Sequence, residues 1–337
     1  MDVLITGAAG FIGRALVARL AAGETLKDAD GRAFRPSRLI LADLMLPAGA
    51  TVRADAPSPP GGPALVRVEG SLADPDHVAA LVGPDTACVF HLAGIVSGAA
   101  EADFDAGLRI NLDGTRRLID AVRSDRQSRR AVRIVHASSI AVYGLPMPAR
   151  IDDATAPWPT LSYGVQKLAC ELLISDLSRR GLIDGRSVRL SGVLVRPPVA
   201  NGALSGFNSD LIREPLQGRP VVSPVTPAAT LWVQSLACTV SNLIHAMTLD
   251  APALGRQRGL LLPALAASIE EIVDALAEVG GAGVRQLVSY RPDPAIEPMF
   301  GRWPKPFTAT RGLALGFGVD ASITEIVRGY AAGLRSA

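Results

Sequence analysis

The sequence predicts an α/β fold, a doubly wound parallel sheet followed by a smaller C-terminal lobe. Two observations predict the sheet: apolar runs alternate with stretches of helical spacing over residues 1–195, and the first run ends in a glycine-rich turn. A third predicts the lobe, because Arg196 to Pro227 is rich in Pro, Gly, Asn and Ser. We expect residues 1–195 and 231–254 to form the sheet domain, and residues 196–230 and 255–337 to form the lobe.

The first element is a strand at Val3–Thr6, which leads through a glycine turn into a helix over Arg14–Ala22. Glycines in such a turn let the chain bend tightly and bring backbone N–H groups close to a pyrophosphate at the helix N-terminus. We therefore predict a dinucleotide cofactor. The turn residues expected to contact it are Gly7, Gly10, Phe11, Ile12 and Gly13.

The second strand, Arg38–Asp43, ends in an acidic residue. A carboxylate there could accept hydrogen bonds from the adenosine ribose and would repel a 2′-phosphate, so Asp43 favours NAD over NADP. It comes later than the usual spacing of about 20 residues because Gly23–Ser37 forms a polar insertion. The alternative is that Asp43 only caps a turn.

The remaining elements follow from the same periodicities. We expect strands at Ala64–Val68, Ala87–Leu92, Val132–His136 and Ser187–Val195, and helices at Glu101–Val122 and Leu231–Leu249. Two further helices begin with the capping boxes Ser268-x-x-Glu271 and Ser322-x-x-Glu325.

Ser138 and Ser139 follow the strand Val132–His136, at the sheet edge where ligands of parallel sheets bind. Tyr163 and Lys167 are four residues apart, so on a helix they share one face. An ammonium group stabilises a nearby phenolate, and Lys167 would thus let Tyr163 accept a proton.

The alternative for Tyr163 and Lys167 is a solvated helix face. Composition weighs against it, because the chain has lysine at only three positions and uses arginine for its other basic residues. Lys167 therefore requires a specific explanation.

Composition excludes several other classes of protein. Hydrophobic residues make up 48% of the chain, charged residues 20%, and the net charge of +2 gives no nucleic-acid footprint. Three scattered cysteines and four histidines without ligand spacing predict neither disulfides nor a metal site. There is no basic leader and no apolar run of membrane-spanning length, so we expect a cytoplasmic enzyme without membrane contact.

Five motifs follow one another along the chain: Thr6–Gly13, His91–Gly94, Asn111–Thr115, Ser139–Tyr143 and Tyr163–Lys167. In this order they resemble the extended short-chain dehydrogenase/reductase family, which has a Rossmann-type fold. The resemblance implies NAD as cofactor and catalysis by Ser139, Tyr163 and Lys167. It also implies further cofactor contacts at Ser71, Leu72, Leu92, Ala93, Asn111, Tyr163, Lys167 and Val193. Two departures are Ser71, where an acid is common near the adenine, and Ser191, where a proline usually borders the nicotinamide.

One subgroup of this family, the enzymes of the D-erythronate dehydrogenase type, resembles the chain most. The resemblance is carried by Ile95–Asp105, Ser162–Lys167, Leu211–Leu216, Leu231–Trp232 and the tail from Leu315 onward. It implies oxidation of the C2 hydroxyl of a small sugar acid, a lobe that binds this substrate, and a homodimer.

Substrate contacts are the least determined. Ser97, Asn201 and Arg213 could donate hydrogen bonds to a substrate carboxylate, Ser139 could hold its hydroxyl, and Trp232 is either core packing or a substrate wall. Arg213 has the alternative of a surface helix residue.

Three other functions are alternatives. A nucleotide-sugar epimerase would share the fold and the catalytic residues, although Val195–Pro198 does not resemble the usual substrate strand ending of such enzymes. A sugar dehydratase is disfavoured because Ile140 and Ala141 supply no acid beside Ser139. A non-catalytic regulator that senses NAD(P) is disfavoured by the intact Tyr163/Lys167 pair.

Overall fold

The computed structural model describes residues 1–46, 61–124, 131–198, 205–300 and 303–336. The strands in these ranges are β1 (Asp2–Thr6), β2 (Leu26–Lys27), β3 (Ala33–Phe34), β4 (Arg38–Asp43), β5 (Ala64–Glu69), β6 (Thr86–His91), β7 (Arg133–Ser139), β8 (Ile151–Asp152), β9 (Asp184–Leu190), β10 (Gly192–Leu194), β11 (Val221–Ser223), β12 (Thr230–Ser235), β13 (Gly259–Leu261), β14 (Leu265–Ser268), β15 (Val288–Tyr290) and β16 (Phe307–Thr308).

The helices of the same ranges include one π-helical segment, Leu108–Asp113, and one 3₁₀ turn, Ile140–Val142. The α-helices are α1 (Phe11–Ala21), α2 (Pro75–Leu81), α3 (Ser97–Ala102), α4 (Phe104–Gly107), α5 (Gly114–Ser124), α6 (Ser162–Arg179), α7 (Phe207–Leu216), α8 (Leu236–Thr248), α9 (Ala251–Leu254), α10 (Ile269–Gly280), α11 (Ala282–Arg285), α12 (Glu297–Phe300), α13 (Thr310–Ala314) and α14 (Ile323–Ser336).

The chain divides into two compact units. The first contains Met1–Val142, Pro159–Arg189 and Val240–Leu260, and the second contains Tyr143–Trp158, Leu190–Thr239 and Leu261–Ala337. This division differs from the expected domains at a few segments. The second unit contains residues 143–158, 190–195 and 231–239, which we expect in the sheet domain. The first unit contains residues 255–260, which we expect in the lobe.

The first unit contains a seven-stranded sheet in the order β13-β9-β7-β6-β1-β4-β5. From β7 to β5 every neighbouring pair is parallel. Among these strands the order reverses beside β1, the first strand, because the chain builds outward to β4 and β5 and then returns to place β6 on the other side. This is the doubly wound α/β arrangement, which confirms the predicted fold class, and ligands of such sheets bind at that reversal.

Apolar side chains of this sheet and its helices form the core of the first unit. Burial of a large aliphatic side chain stabilises a fold by about 1.5–3 kcal/mol. The buried members of the cluster beside α5 and α6 are Leu4, Ala42, Leu72, Val78, Leu81, Val89, Leu118, Ile119, Val122, Val132, Ile134, Ile174 and Ile183.

Three buried guanidinium groups share one carboxylate in the first unit. Asp184 accepts hydrogen bonds from Arg133 Nε at 2.7 Å, Arg186 Nη2 at 2.8 Å and Arg258 Nη1 at 3.1 Å. Two backbone carbonyls in the last turn of α8 accept further hydrogen bonds, one from Arg133 at 2.9 Å and one from Arg186 at 2.8 Å. The negative end of that helix thus supplements the single carboxylate. Burial lowers the pKa of Arg186 to about 10.

The second unit contains a three-stranded sheet in the order β10-β12-β14. β10 and β12 are parallel, and β12 and β14 are antiparallel. Helix α10 begins with the predicted capping box: Ser268 Oγ accepts from the Glu271 N–H at 3.2 Å, and the Glu271 carboxylate accepts from the Ser268 N–H at 2.8 Å.

Three of the predicted elements are wrong in their extent. The helix expected over Glu101–Val122 is interrupted at Asp103, whose carboxylate caps α4, and widens into the π-helical segment. The strand expected over Ser187–Val195 ends at Leu190 and resumes as β10 in a different sheet. The helix expected over Leu231–Leu249 is preceded by the strand β12 and starts only at Leu236. In the last case the apolar spacing suited both structures, and pairing with β10 and β14 selected the strand.

Candidate active site

The glycine turn joins β1 to α1. Gly7 has φ +74°, and a Cβ there would lie 2.7 Å from the Ala93 nitrogen. A Cβ at Gly13 would lie 2.0 Å from the Gly7 carbonyl oxygen. The helix starts at Phe11, directly after Gly10, and no side chain in the described ranges caps its first turn. The turn thus leaves the first N–H groups of α1 for an anionic ligand.

Asp43 lies at the end of β4, beside this turn. Its carboxylate accepts hydrogen bonds from the Ala9 N–H at 2.9 Å and from the Leu44 N–H at 2.8 Å. Both expectations for Asp43 are therefore compatible with its position: it braces the glycine turn, and each oxygen keeps a lone pair that a ribose hydroxyl could use.

The other predicted cofactor residues of the first unit end the neighbouring strands. Leu92 and Ala93 follow β6 and are half-buried beside Gly7. Ser71 follows β5, and its hydroxyl accepts from the Ala73 N–H at 3.1 Å. Leu72 belongs to the core, so only its backbone is available to a ligand. Val193 is buried in β10 of the second unit.

Asn111 is 2% exposed and lies in the π-helical segment. Its carboxamide accepts from the Ile95 N–H at 2.9 Å and donates to the Ile95 carbonyl at 3.1 Å and to Gln166 Oε1 at 2.8 Å. A Cβ at Gly94 would lie 2.8 Å from Asn111 Oδ1 and 3.6 Å from Lys167 Nζ. Asn111 therefore fixes the loop after β6 against the helix that carries Lys167.

His91 connects β1, β6 and α5 through a directed chain of hydrogen bonds. The Thr115 hydroxyl donates to the Asn111 carbonyl at 2.6 Å, so its oxygen accepts from His91 Nε2 at 2.8 Å. His91 Nδ1 then accepts from the Thr6 hydroxyl at 2.7 Å. Burial, and secondarily the Lys167 charge, lowers the pKa of His91 to about 3, so this ring is neutral.

The predicted catalytic residues lie on β7 and α6. Lys167 is 4% exposed, donates to the Ala137 carbonyl at 2.8 Å and lies 5.7 Å from the centroid of the Tyr163 ring. Ser139 ends β7 two residues after Ala137 and is half-buried, and its Oγ accepts from the Ala141 N–H at 3.1 Å. Lys167 is thus next to Tyr163 and is attached to the strand end that carries Ser139.

The two serines differ in environment. The Ser138 hydroxyl is 2% exposed and donates to the Glu171 carboxylate at 2.5 Å. Ser139 keeps its own O–H for a ligand, because the contact it makes with Ala141 uses only an oxygen lone pair. This difference agrees with the choice of Ser139 over Ser138.

Gly164 is a site residue that the sequence reasoning missed. A Cβ there would lie 2.0 Å from the Ala141 carbonyl oxygen and 2.8 Å from Pro159 Cβ. The absent side chain lets the first turn of α6, with Tyr163, approach the segment after Ser139. The signal available in the sequence was a glycine inside a helix next to the candidate base, where glycine is normally unfavourable.

The candidate substrate residues are only partly organised. Ser97 is half-buried at the start of α3, and Asn201 lies outside the described residues. Within the described ranges, Arg213 donates to the Arg196 carbonyl at 2.7 Å, to Glu214 at 3.0 Å and to Asp210. These three hydrogen bonds leave two of the five guanidinium N–H groups for a ligand. Trp232 is 2% exposed, packs on Trp303 and Phe307, and donates its N–H to the Pro304 carbonyl at 3.0 Å. The structure gives Trp232 a packing role.

Comparison with known proteins supplies the family. A family model described as the NAD dependent epimerase/dehydratase family matches residues 3–229. This chain belongs to that family. It is 42% identical over 331 residues to the D-erythronate dehydrogenase of Cupriavidus necator, and the match covers 98% of each chain. It is 34% identical over 330 residues to the D-erythronate dehydrogenase of Haemophilus influenzae, again over 98% of each.

A solved structure has the same fold as this chain. The nucleoside-diphosphate-sugar epimerase from Agrobacterium tumefaciens superimposes with a TM-score of 0.89 at 37% identity, and the match covers 100% of this chain and 95% of that one. Family and relatives together identify an NAD-dependent dehydrogenase.

The residues of the first unit fit NAD. Gly7 and Gly13 lie close to neighbouring backbone and no described side chain caps the first turn of α1, so this turn would suit a pyrophosphate. Asp43 lies where the adenosine ribose would be held, and Lys167 and Asn111 lie together beside the loop after β6.

None of the described helices has the length and apolarity that a membrane crossing requires. The described residues also contain no group of three or more His, Cys, Asp or Glu side chains arranged to hold a metal ion.

Proposed function

We propose that this protein oxidises the C2 hydroxyl of a small sugar acid of the D-erythronate kind to the 2-oxo acid. The observation that carries the proposal is the full-length similarity, at 42% identity, to a D-erythronate dehydrogenase. The arrangement of Ser139, Tyr163 and Lys167 supports it, since a phenol beside an ammonium can accept the proton of an alcohol and a hydroxyl donor can orient its oxygen.

In the proposed mechanism, Tyr163 takes the proton of the C2 hydroxyl. The Lys167 ammonium lies 5.7 Å from the centre of the Tyr163 ring and stabilises the phenolate that performs this step. Ser139 donates its free O–H to the same substrate oxygen and orients it. Bound NAD would supply the acceptor for the hydride that leaves the substrate carbon.

The fixed environment of Lys167 supports a second proposed role, which is a hydrogen bond to the nicotinamide ribose. The Ala137 carbonyl accepts one of its three protons and the helix holds it near Asn111, which leaves the remaining protons for the nicotinamide ribose. Ser97, Asn201 and Arg213 remain the proposed donors to the substrate carboxylate. The second unit is the proposed substrate-binding lobe.

A spectrophotometric screen tests this proposal. Four- to six-carbon aldonic acids are offered with NAD⁺ or NADP⁺, and we expect NADH formation with D-erythronate. Tyr163→Phe should lose at least about 10²–10⁴ in turnover, because that is the usual contribution of a general base. Near-normal turnover by Tyr163→Phe, or no turnover of any acid by the wild type, would contradict the proposal.

A nucleotide-sugar epimerase is the second candidate. The observation that favours it is the structural match to a nucleoside-diphosphate-sugar epimerase at 37% identity. UDP-sugars are therefore included in the screen. Interconversion of UDP-sugars without net NADH formation, combined with silence toward sugar acids, would select this candidate.

Two further expectations belong to the proposal. The first is a homodimer, supported by the exposed apolar residues Val165 and Leu172 on α6; gel filtration with light scattering tests it. The second is a cytoplasmic location, supported by Cys88, Cys170 and Cys238, which are thiols and not disulfides, since such a compartment keeps thiols reduced. Cell fractionation tests it.

A further inference from the structure

A buried hydrogen-bonded chain, Arg189–Glu171–Ser138, lies next to the catalytic residues. The Glu171 carboxylate accepts from the Ser138 hydroxyl at 2.5 Å, and from Arg189 Nε at 3.0 Å and Nη2 at 2.8 Å. Glu171 and Ser138 are 3% and 2% exposed. A Cβ at Gly259 would lie 2.7 Å from Glu171 Oε2, so the glycine at this position leaves the space that the carboxylate occupies.

Helix α6 presents Tyr163, Lys167 and Glu171 at intervals of four residues, so the three side chains share one face. Two of them contact consecutive residues of β7: Lys167 donates to the Ala137 carbonyl, and Glu171 accepts from Ser138. The next residue of the strand is Ser139. Two successive turns of the helix are therefore attached to the strand end directly before the serine that must work with Tyr163.

The charge of Glu171 explains why Ser138 does not compete with Ser139. A carboxylate held by two guanidinium N–H groups has only acceptor sites, so the single proton of the Ser138 hydroxyl points toward Glu171. Hydrogen bonds to a charged group contribute about 1.5–3 kcal/mol, against about 1 kcal/mol for neutral pairs. The contact is thus strong enough to hold a short segment of backbone in place.

We propose that Glu171 and Ser138 are positioning residues, which hold α6 in register with the end of β7 so that Ser139 and Tyr163 reach one substrate oxygen together. The inference rests on the proposed function, since it concerns the geometry of that reaction. A misplacement of about 1 Å can reduce turnover about 10²-fold. Loss of one of the two attachments should therefore reduce turnover about tenfold or more.

A matched control is available on the same helix. Ser178 is 8% exposed, donates to the Ile174 carbonyl at 2.6 Å and accepts from the Gly185 N–H at 3.0 Å. Ser178→Ala removes the same atom from another buried serine, which lies far along α6 from Tyr163. If burial and stability alone mattered, Ser138→Ala and Ser178→Ala would behave alike.

The experiment compares Ser138→Ala, Ser178→Ala and Glu171→Asp with the wild type in steady-state turnover. Ser138→Ala should lower kcat about tenfold or more, leave the KM for NAD within about twofold, and leave the midpoint of the pH profile unchanged because no charge is removed. Ser178→Ala should keep kcat within about twofold. Glu171→Asp keeps the charge for Arg189 but withdraws the carboxylate by about 1.5 Å, the length of a C–C bond, and should also lower kcat.

A double-mutant cycle and hydrogen exchange complete the test. Because Ser138 and Glu171 act through one contact, the double variant should be no slower than the slower single variant, whereas independent effects would multiply. Amide exchange over residues 137–143 should be faster in Ser138→Ala than in Ser178→Ala, a measurement that needs no substrate. If Ser138→Ala does not fold, Glu171→Asp carries both measurements.

Three results would overturn the inference: kcat of Ser138→Ala within about twofold of the wild type, equal losses in Ser138→Ala and Ser178→Ala, or multiplicative losses in the double variant. If the wild type turns over no sugar acid, the proposed function fails instead, and hydrogen exchange alone decides the inference. Unchanged exchange at residues 137–143 in Ser138→Ala would then overturn it.

Discussion

Gly164→Ala is the substitution whose effect the structure determines most directly. The new Cβ would lie 2.0 Å from the Ala141 carbonyl oxygen, whereas carbon and oxygen atoms in contact are about 3.3 Å apart or more. Relief of this overlap displaces the first turn of α6 by about 1 Å. One of the two atoms is a backbone oxygen and the other is a Cβ, whose position is set by the backbone. Rotation of a side chain therefore cannot relieve the overlap.

Tyr163 precedes Gly164 and moves with this turn, whereas Ser139 lies on the strand side of the contact. A displacement of about 1 Å can reduce turnover about 10²-fold, and overpacking lowers the free energy of unfolding by about 1–3 kcal/mol. We therefore expect kcat to fall about 10²-fold while the protein remains folded at 25 °C. NADH formation with the substrate found in the screen measures the first quantity, and urea unfolding measures the second.

Gly329→Ala is the matched control for this substitution. Gly329 lies inside α14, and none of the neighbouring atoms that the structure describes lies within 4 Å of the position a Cβ would occupy. Alanine is favoured over glycine in a helix by about 0.8–1.0 kcal/mol, so this variant should be slightly more stable and fully active. Wild-type kcat in Gly164→Ala would refute the argument that this glycine sets the position of Tyr163.

Three other predictions follow from buried charges and neutral groups. Asp43→Asn keeps an oxygen for the Ala9 N–H but removes the charge that repels a 2′-phosphate. The ratio of kcat/KM for NAD to kcat/KM for NADP should therefore fall at least about tenfold. An unchanged ratio would contradict the proposed role of Asp43. Asp184→Asn leaves buried guanidinium groups without their anion. The free energy of unfolding, measured with urea at pH 7, should fall by about 3–5 kcal/mol, while kcat per folded molecule stays unchanged. A loss below about 1 kcal/mol would contradict the stabilising role of Asp184. His91 is neutral in the fold, with a pKa lowered from 6.5 to about 3, and burial lowers the pKa of His136 as well. The unfolded chain therefore binds more protons below pH 6.5, and His91 should reduce stability by about 1.4 kcal/mol per pH unit as the pH falls from 6.5 toward 3. His136 should reduce stability in the same direction as the pH falls below 6.5. Equal urea midpoints at pH 7 and pH 5 would contradict this.

The local part of the site could be predicted from the sequence. A strand, three glycines and a helix at the chain start predict the cradle because its conformation depends on residues that are adjacent in the chain. The pairing of Tyr163 with Lys167 follows from the period of the helix alone, and the structure places the Lys167 ammonium beside the Tyr163 ring. The capping box at Ser268 was predictable for the same reason.

Contacts between distant segments were not predictable. The bond from the Ala9 N–H to Asp43 joins residues 34 apart in the chain, and that from Ser138 to Glu171 joins residues 33 apart. Both depend on the order of the strands and on which helix covers which strand. The family motif implies Ser139, and not Ser138, as the catalytic serine. The structure adds that the Ser138 hydroxyl already donates its proton to the Glu171 carboxylate.

The sequence by itself determined the sheet class, the glycine turn after the first strand and the candidate pair for proton transfer, because each depends on short-range periodicity or on a motif shared with a family. Only the tertiary structure decided where β9 ends and β10 begins, that β12 is a strand, and that Gly164 lets α6 lie against Ala141. These features depend on sheet pairing and on the close packing of backbone atoms, which no local pattern encodes.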